Sequence, residues 1–300
     1  MTETFVKHAL DKGKKGAQWL KNIPNLIRKF EEAWSIKVDA PFTLSYNYVA
    51  PATRSDGTKA VLKIGFPTDK EFQTEIDALQ VYNGEGIEKL LEVDKKDAVI
   101  LIERETPGIS LSEIEDDEQA TKIIASVMKQ LWKPLRPKHK FITIAEWAQG
   151  ISRFRQQHNG TSGPLPSYLL DKAEKLFQEL ISSSAPPILV HGDLHHDNIL
   201  SSDRAGWLAI DPKGIAAEPA YETAAMLRNP YAKLQNNRDL EKILSRRIAI
   251  LSEELNIDPL RIQQWGIAQT VLSAVWSAEE NDKGWEHTIA VAQVLSKIKI

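Results

Sequence analysis

The sequence predicts a two-lobed α+β protein, with a small N-terminal lobe and a larger, mainly helical C-terminal lobe. Three observations carry this prediction. The first hundred residues alternate strand-like and helical patterns, and long amphipathic stretches dominate after about Pro107. The length of 300 residues is also about twice that of a typical domain. We place the boundary so that residues 1–106 form the N-terminal lobe and residues 107–300 form the C-terminal lobe.

The composition excludes several classes of protein. Its 42% hydrophobic and 26% charged residues are typical of a globular chain, and a net charge of −3 predicts no nucleic-acid or anionic-membrane partner. The absence of cysteine excludes disulfides, zinc–thiolate sites and a thiol nucleophile. The polar N-terminus lacks a signal-peptide core, and no apolar run approaches the ~20 residues that span a bilayer. We therefore expect a soluble, cytoplasmic protein.

The N-terminal lobe is predicted to open with a helical segment that reaches about Ile36, because its apolar residues recur at helical spacing. Two strand-like runs follow. They flank Asp56-Gly57, a pair that can adopt the positive φ angles of a tight hairpin turn. This pattern predicts a β-hairpin.

A helix and a buried strand should complete this lobe. Thr68 and Glu71 match a capping box and predict the start of the helix. Its inward stripe is Phe72, Ile76 and Leu79. The apolar run from Ala98 to Ile102 predicts the strand.

The C-terminal lobe should consist of long helices around one hairpin. Amphipathic patterns predict helices over about 120–132 and 167–182, and Pro186-Pro187 ends the second of these patterns. Two short apolar runs, ILV and WLAI, lie beyond it. We interpret them as a single hairpin within the helical lobe.

The most informative residues follow these two runs. Asp193 lies in His191-Gly192-Asp193, Asn198 comes five residues later, and Asp211 ends the next apolar run. Phosphoryl transfer needs a carboxylate that orients the attacking hydroxyl and accepts its proton. It also needs oxygen ligands that hold Mg²⁺ on the phosphates. The pattern therefore predicts Asp193 as the catalytic carboxylate, and Asn198 and Asp211 as metal ligands.

With these residues in view, the chain resembles the aminoglycoside phosphotransferase-like kinases. The H-G-D-x-x-x-x-N motif followed by I-D-P carries the resemblance, and AIDPKGIAAEPAYE is similar to the streptomycin 6-phosphotransferase and hydroxyurea phosphotransferase branch. Similar segments run from WLKNIP through SYNYVAPA and LIERETPG, so the resemblance covers nearly the whole chain. It implies a bilobal protein-kinase-like fold with a nucleotide-binding N-terminal lobe and a catalytic, acceptor-binding C-terminal lobe.

Lys63 is the predicted phosphate anchor. A lone lysine in the apolar strand KAVLKIG requires a partner, and Glu75 lies on the inward stripe of the next helix. A buried Lys–Glu pair of this kind holds the α- and β-phosphates in kinases. We favour this interpretation over an ordinary surface salt bridge, which would contribute only ~0–1 kcal/mol.

The other nucleotide contacts depart from the protein-kinase pattern. The sequence has no G-x-G-x-x-G loop, so Ser45 and Asn47 are the predicted donors to the phosphates. The backbone from Glu103 to Glu105 should bind adenine, with both glutamate side chains facing solvent. Lys213 is expected at the phosphate end, where it either neutralises transition-state charge or extends to solvent.

The three histidines of the motif are interpreted as structural. His191 is expected to hydrogen-bond the backbone of the catalytic loop rather than transfer a proton. His195 and His196 are adjacent, so they do not share a helix face as metal ligands would. We expect both to be structural or exposed.

The acceptor contacts allow two interpretations. Glu218 and Glu222 could cap a helix that begins near Pro219, and capping is the preferred account for Glu222. Alternatively, they belong to an acidic, aromatic-edged pocket for a cationic acceptor. The other members of that pocket would be Glu279, Glu280, Asp282, Trp276 and Trp285.

These patterns predict an enzyme that uses ATP and Mg²⁺ to phosphorylate a hydroxyl group of a small molecule. The resemblance implies an aminoglycoside such as streptomycin, or hydroxyurea, as the acceptor. Kinases of fructosamine, choline, homoserine or methylthioribose are alternatives that share the H-G-D motif. A non-catalytic binding protein of the same fold is a further alternative, which the presence of Asp193, Asn198 and Asp211 disfavours.

Overall fold

The computed structural model describes residues 1–280 and 284–300. Its helices, in chain order, are α1 (Glu3–Asp11), α2 (Gly13–Ala33), α3 (Lys70–Tyr82), α4 (Asp117–Leu131), α5 (Ile144–Gln157), α6 (Ser167–Ser182), α7 (Pro219–Glu222), α8 (Ala224–Leu227), α9 (Tyr231–Leu234), α10 (Leu240–Leu255), α11 (Pro259–Glu279) and α12 (Trp285–Leu295). Its strands are β1 (Ile36–Val38), β2 (Tyr48–Arg54), β3 (Lys59–Ile64), β4 (Leu90–Asp94), β5 (Val99–Glu103), β6 (Pro107–Ser110), β7 (Lys133–Pro134), β8 (Ile142–Thr143), β9 (Ile188–Val190), β10 (Ile199–Ser202), β11 (Gly206–Ala209) and β12 (Ile215–Ala217). None of the described helices combines the length and apolar character of a membrane span.

The N-terminal lobe is a five-stranded antiparallel sheet, in the order β1-β2-β3-β5-β4, with helices on both faces. Side chains alternate between the faces of a strand, so Leu62 packs with the residues of α1 and α2 while Val61 packs with α3. Lys63, two residues from Val61, therefore points toward α3. This alternation brings Lys63 to the helix that carries Glu75.

The predicted elements of this lobe are present, with corrections at their ends. The opening helix is two helices separated at Lys12, because Gly13 has φ +67°, and it ends at Ala33 rather than Ile36. The predicted hairpin is confirmed, and only Gly57 of its turn takes a positive φ, +88°.

The start of α3 and one edge strand also differ from prediction. Asp69, not Thr68, is the N-cap of α3, and its carboxylate accepts from the Glu71 N–H at 3.0 Å. The buried strand is confirmed as β5, whereas the partly exposed edge strand β4 was missed because its residues show no clear alternation.

The C-terminal lobe is built around α11, which packs against α6, α10 and α12. Its buried residues lie on all sides of the helix, as expected of a central helix. The prediction of α6 is confirmed, and α4 begins three residues earlier than predicted, where Asp116 caps its first turn.

The predicted single hairpin of this lobe is wrong. The strand before His191, β9, pairs with β12, whereas the strand before Asp211, β11, pairs with β10. The two loops that carry the motif therefore leave different small sheets. They meet where the His191 carbonyl accepts from the backbone N–H groups of Lys213 and Gly214, at 2.8 and 3.1 Å.

Candidate active site

A cleft of about 900 Å³ lies between the two lobes and contains most of the predicted site residues. The N-terminal lobe contributes Lys63 and Glu75, and the C-terminal lobe contributes Asp193, Asn198 and Asp211. These five side chains come from four segments of the sequence, because Asp193 and Asn198 share one loop. The fold thus gathers the predicted phosphate, metal and catalytic groups in one place.

The loop that carries Asp193 is held by its own backbone and by His191. Gly192 has φ +90°, and a Cβ there would lie 2.3 Å from a carbon of Ile215, so only glycine fits. His191 is fully buried, donates through Nε2 to the Ile210 carbonyl at 2.8 Å and accepts at Nδ1 from the Asp193 N–H at 3.2 Å. Burial lowers the pKa of His191 to about 4. The structural role predicted for His191 is confirmed.

Glu222 supports the same loop from behind. Its carboxylate accepts from the backbone N–H of His191 at 2.5 Å and from that of Gly192 at 3.0 Å. Burial raises the pKa of Glu222 to about 7, although these hydrogen bonds favour its ionised form. The predicted capping role of Glu222 is therefore wrong. It does not line the cleft either. Its hydrogen bonds to the backbone of residues 191 and 192 hold the catalytic loop in place.

Asp193 is held by an arginine that the sequence did not identify. Arg228 donates through Nη2 to Asp193 Oδ1 at 3.0 Å and through Nε to Gln269 at 3.1 Å. Burial would raise the pKa of Asp193, but His195, Arg228 and Lys213 together hold it below its ordinary value. Oδ2 makes no hydrogen bond to the described residues, so it is available to an acceptor hydroxyl.

The segment that presents Arg228 is itself clamped. The side chain of Arg247 is buried and donates to the carbonyls of Met226 and Asn229, at 2.8 and 2.6 Å, on either side of Arg228. Asp117 fixes Arg247 with two further hydrogen bonds of 3.0 and 2.5 Å. Arg228 is therefore held in place before any ligand binds.

Asp211 and Asn198 fit the predicted metal-binding role. The amide nitrogen of Asn198 donates to the Asp193 carbonyl at 3.0 Å, which leaves its oxygen as a possible ligand. The carboxylate of Asp211 faces Lys63, which contacts Oδ1, and Lys213, whose Nζ lies 3.6 Å from Oδ2. Burial would raise the pKa of Asp211, but the two lysines outweigh it and lower the pKa. An ionised carboxylate and an amide oxygen are the donors that Mg²⁺ prefers.

The predicted Lys63–Glu75 pair is confirmed. Lys63 Nζ lies 2.6 Å from Glu75 Oε1, and both residues are at most 5% exposed. Burial raises the pKa of Glu75 to about 7, although Lys63 opposes the shift. Burial also disfavours the lysine cation, but Asp211 and Glu75 raise the pKa of Lys63 overall.

A third buried carboxylate, Glu88, was not predicted. It lies just before β4, is 4% exposed and accepts from the Asp211 N–H at 3.0 Å. Burial raises the pKa of Glu88 to about 8. A single glutamate of this kind forms no recognisable pattern in the sequence, because its partner, Asp211, lies more than a hundred residues away.

The residues predicted to contact the nucleotide lie along the cleft, but one expectation about their side chains is wrong. Ser45, Asn47, Glu103 and Glu105 all line the cleft. The expectation that both glutamate side chains face solvent is wrong. Glu105 is buried, and Arg204 donates to the carboxylate of Glu103 at 2.8 Å while lying 3.7 Å from that of Glu105.

Of the predicted acceptor residues, Trp276, Glu279 and Glu280 line the cleft. Trp147 joins them, with its ring edge-on to Trp276 at 5.1 Å between centroids. Glu280 accepts from the Tyr46 hydroxyl at 2.8 Å, which ties this end of the cleft to the N-terminal lobe. Asp282 lies outside the described residues. Trp285, at the start of α12, packs against the core and does not line the cleft.

Glu218 does not reach the cleft. It is 6% exposed and accepts from Arg261 Nε at 2.8 Å and from the indole N–H of Trp265. It occupies the N-cap position of α7 without a capping hydrogen bond from its side chain. Both predicted roles of Glu218, pocket and cap, are therefore corrected, because Arg261 and the buried Trp265 bind its carboxylate.

His195, His196 and Lys213 complete the motif region. His196 is buried, and His195 accepts at Nδ1 from the Asp197 N–H at 3.3 Å and lies 3.8 Å from Asp193. Lys213 lines the cleft beside Asp211 rather than extending away into solvent. Its predicted position at the phosphate end of the site stays a prediction.

Comparison with known proteins identifies relatives over most of the chain. Residues 34–281 match the family model described as aminoglycoside/hydroxyurea antibiotic resistance kinase. Streptomycin 6-kinase of Streptomyces glaucescens is 27% identical over 286 residues, which are 94% of this chain and 92% of that protein. Hydroxyurea phosphotransferase of Kitasatospora aureofaciens is 28% identical over 289 residues, 94% of this chain and 82% of its own length.

Solved structures agree on the fold. An amicoumacin kinase superposes with a TM-score of 0.67 at 14% sequence identity, covering 95% of both chains. At that identity the similarity concerns the fold alone. The predicted two-lobed, protein-kinase-like fold is confirmed.

Proposed function

We propose that this chain, which belongs to the aminoglycoside/hydroxyurea antibiotic resistance kinase family, uses ATP and Mg²⁺ to phosphorylate an aminoglycoside such as streptomycin, or hydroxyurea. The members of that family are phosphotransferases that act on hydroxyl groups. One observation carries the proposal. Asp193, Asn198 and Asp211 line the same cleft as the buried Lys63–Glu75 pair. This is the set of groups that phosphoryl transfer from a metal-bound nucleotide requires.

Asp193 is the residue that contacts the acceptor hydroxyl. Its free oxygen, Oδ2, orients the attacking hydroxyl and accepts the proton as the new O–P bond forms and the bond to the β-phosphate oxygen breaks. Arg228 occupies Oδ1 and, together with His195 and Lys213, keeps the carboxylate ionised. One oxygen thus positions the group while the other reacts. The phosphorylated acceptor and ADP are then released.

Lys63 and Lys213 supply positive charge on the donor side. Both contact Asp211 in the described structure, and both are within reach of phosphates that enter the cleft beside it. Asn198 and Asp211 would hold Mg²⁺, which neutralises phosphate charge when bound. The amicoumacin kinase, which shares the fold, was solved in complex with AMP-PNP and Ca²⁺, which supports the proposal of a nucleotide substrate.

The proposal is tested by a coupled assay of ATP consumption. The acceptors are streptomycin, hydroxyurea, choline and a neutral polyol, each with and without Mg²⁺. We expect Mg²⁺-dependent turnover with streptomycin or hydroxyurea and none without an acceptor. Turnover on choline or the polyol alone would favour a kinase of another metabolite.

The donor site is tested separately by calorimetric titration with Mg·ATP. Wild-type protein should bind, and Asp211→Ala should bind much more weakly, because a charged oxygen ligand is removed. Asn198→Ala should have a smaller effect, since a neutral amide contributes less to a hard cation. Tight binding of Mg·ATP without any phosphorylated acceptor would support the non-catalytic alternative.

A further inference from the structure

We propose that Glu88 is a positioning residue that holds the backbone of Asp211 so that its carboxylate faces the metal–nucleotide in the cleft. This inference rests on the proposed function, since it concerns the residue expected to bind Mg²⁺. Glu88 acts through Asp211 and need not contact the substrate. Neither the motif nor the family description includes it.

Hydrogen bonds connect Glu88 to the strand that leads to Asp211. Its Oε1 accepts from the Asp211 N–H at 3.0 Å, and its own N–H donates to the Ala209 carbonyl at 3.0 Å. The Ala209 N–H in turn donates to the Gly86 carbonyl at 3.0 Å. Residues 86–88 therefore form a fixed backbone support beside β11, and the side chain of Glu88 extends that support by two residues.

Asp211 needs such a support because of its conformation. Its φ angle of +59° lies in the left-handed region, which is uncommon for residues other than glycine, although aspartate and asparagine adopt it more readily than most. A conformation of this kind persists only where the surroundings hold it. Among the described residues, Glu88 is the one whose side chain bonds the backbone of Asp211.

The lysines cannot supply this support during the reaction. Lys63 and Lys213 face the carboxylate of Asp211, not its backbone. When phosphates enter, both cations are drawn to them and their contacts with Asp211 weaken. The hydrogen bond from the Asp211 N–H to Glu88 is independent of that change, so it holds the metal ligand before and after binding.

A purely structural explanation of Glu88 is unsatisfactory. The residue is 4% exposed, and among the described residues its carboxylate forms no salt bridge, because Lys63 acts on it only from a longer distance. Burying a carboxyl group without an ionic partner is unfavourable relative to an apolar side chain of similar size. Among the described residues, the hydrogen bond to the backbone of Asp211 is the contact that offsets the cost of burying this carboxyl group.

The test compares Glu88→Leu, which removes the acceptor oxygen, with Glu88→Gln, which keeps one. Mn²⁺·ATP binding is measured by calorimetry, free Mn²⁺ by electron paramagnetic resonance, and ATP binding is also measured without metal. We expect Glu88→Leu to weaken Mn²⁺·ATP binding by about tenfold or more, the usual effect of removing a residue that orients a metal ligand. Metal-free ATP binding should stay within about twofold, and Glu88→Gln should retain most of the affinity.

Gln263→Leu is the matched control. This buried glutamine donates to the carbonyls of Leu295 and Ile298, at 2.8 and 2.7 Å, so its loss lowers the melting temperature without affecting the metal dependence. Glu88→Met repeats the comparison should Glu88→Leu fold poorly. Metal-dependent binding of Glu88→Leu and Glu88→Met equal to wild type overturns the inference, as does an equal loss with and without metal. Wild-type protein that binds no Mn²⁺·ATP overturns the proposed function and the inference together.

Discussion

Each lobe presents an ion pair of its own to the cleft, Lys63–Glu75 in the N-terminal lobe and Asp193–Arg228 in the C-terminal lobe, and these two pairs differ in burial. Lys63 and Glu75 of the N-terminal lobe are almost fully buried at 2.6 Å, whereas the side chains of Asp193 and Arg228 are 27% and 15% exposed at 3.0 Å. Removing one partner of a buried pair leaves the other charge buried and uncompensated. In the more exposed pair, water takes the place of the partner that is removed. The N-terminal pair should therefore support both fold and activity, and the C-terminal pair activity alone.

The largest expected effect is on catalysis by Asp193→Asn. The amide cannot accept the acceptor proton, so turnover should fall by about 10²–10⁴-fold, the usual contribution of a positioned general base. Affinity for Mg·ATP should change little, because Asp193 faces the acceptor. Steady-state kinetics and calorimetry measure the two effects, and turnover close to wild type would remove Asp193 from its assigned role.

Lys63→Met should lower both activity and stability. Loss of the cation leaves Glu75 buried alone, and breaking such a pair destabilises a fold by about 3–5 kcal/mol, reduced where the carboxylate can take up a proton. Urea denaturation measures the change. The double variant Lys63→Met with Glu75→Leu should recover stability but not activity. A Lys63→Met variant as stable as the wild type would contradict the comparison.

The same variant gives a pH test. The pKa of Glu75, already about 7 in the folded protein, should rise further without Lys63. A carboxyl group that binds its proton more tightly when folded stabilises the protein at low pH, and this stabilisation is lost as pH rises through the folded pKa. Lys63→Met should therefore be less destabilised relative to wild type at pH 6 than at pH 8.

Arg228→Gln should reduce turnover by about tenfold to a hundredfold, because Asp193 loses the hydrogen bond that orients it, and charge-assisted bonds are the strong ones. The melting temperature should change little. Arg228→Lys should restore part of the rate, since the charge returns without the planar geometry. A large loss of stability in Arg228→Gln would show that the two pairs are alike.

The smallest catalytic effect is expected for Glu218→Gln. Its carboxylate binds Arg261 and Trp265 outside the cleft, so activity on any acceptor should remain near wild type. Stability should fall by about 1–3 kcal/mol, because a buried charge-assisted bond is weakened. A selective loss on streptomycin with unchanged stability would return Glu218 to the acceptor site.

The sequence by itself determined the parts of the protein that depend on local order. The spacing of Asp193 and Asn198 lies within one loop, and the bounds of α6 follow from a stripe within one helix. Lys63 was found because a lone lysine in an apolar strand requires a partner, and Glu75 was found because helical periodicity places it on the inward stripe of the next helix. Such patterns need only neighbouring residues.

Only the tertiary structure decided which distant groups meet. The sequence did not show that Arg228 holds Asp193, that Glu88 holds Asp211 or that β9 pairs with β12. It also did not show that Arg261 and Trp265 would take Glu218 away from the cleft. The partner of a polar group depends on how whole elements pack, and a charged residue has the same sequence pattern in a cleft as in a buried ion pair.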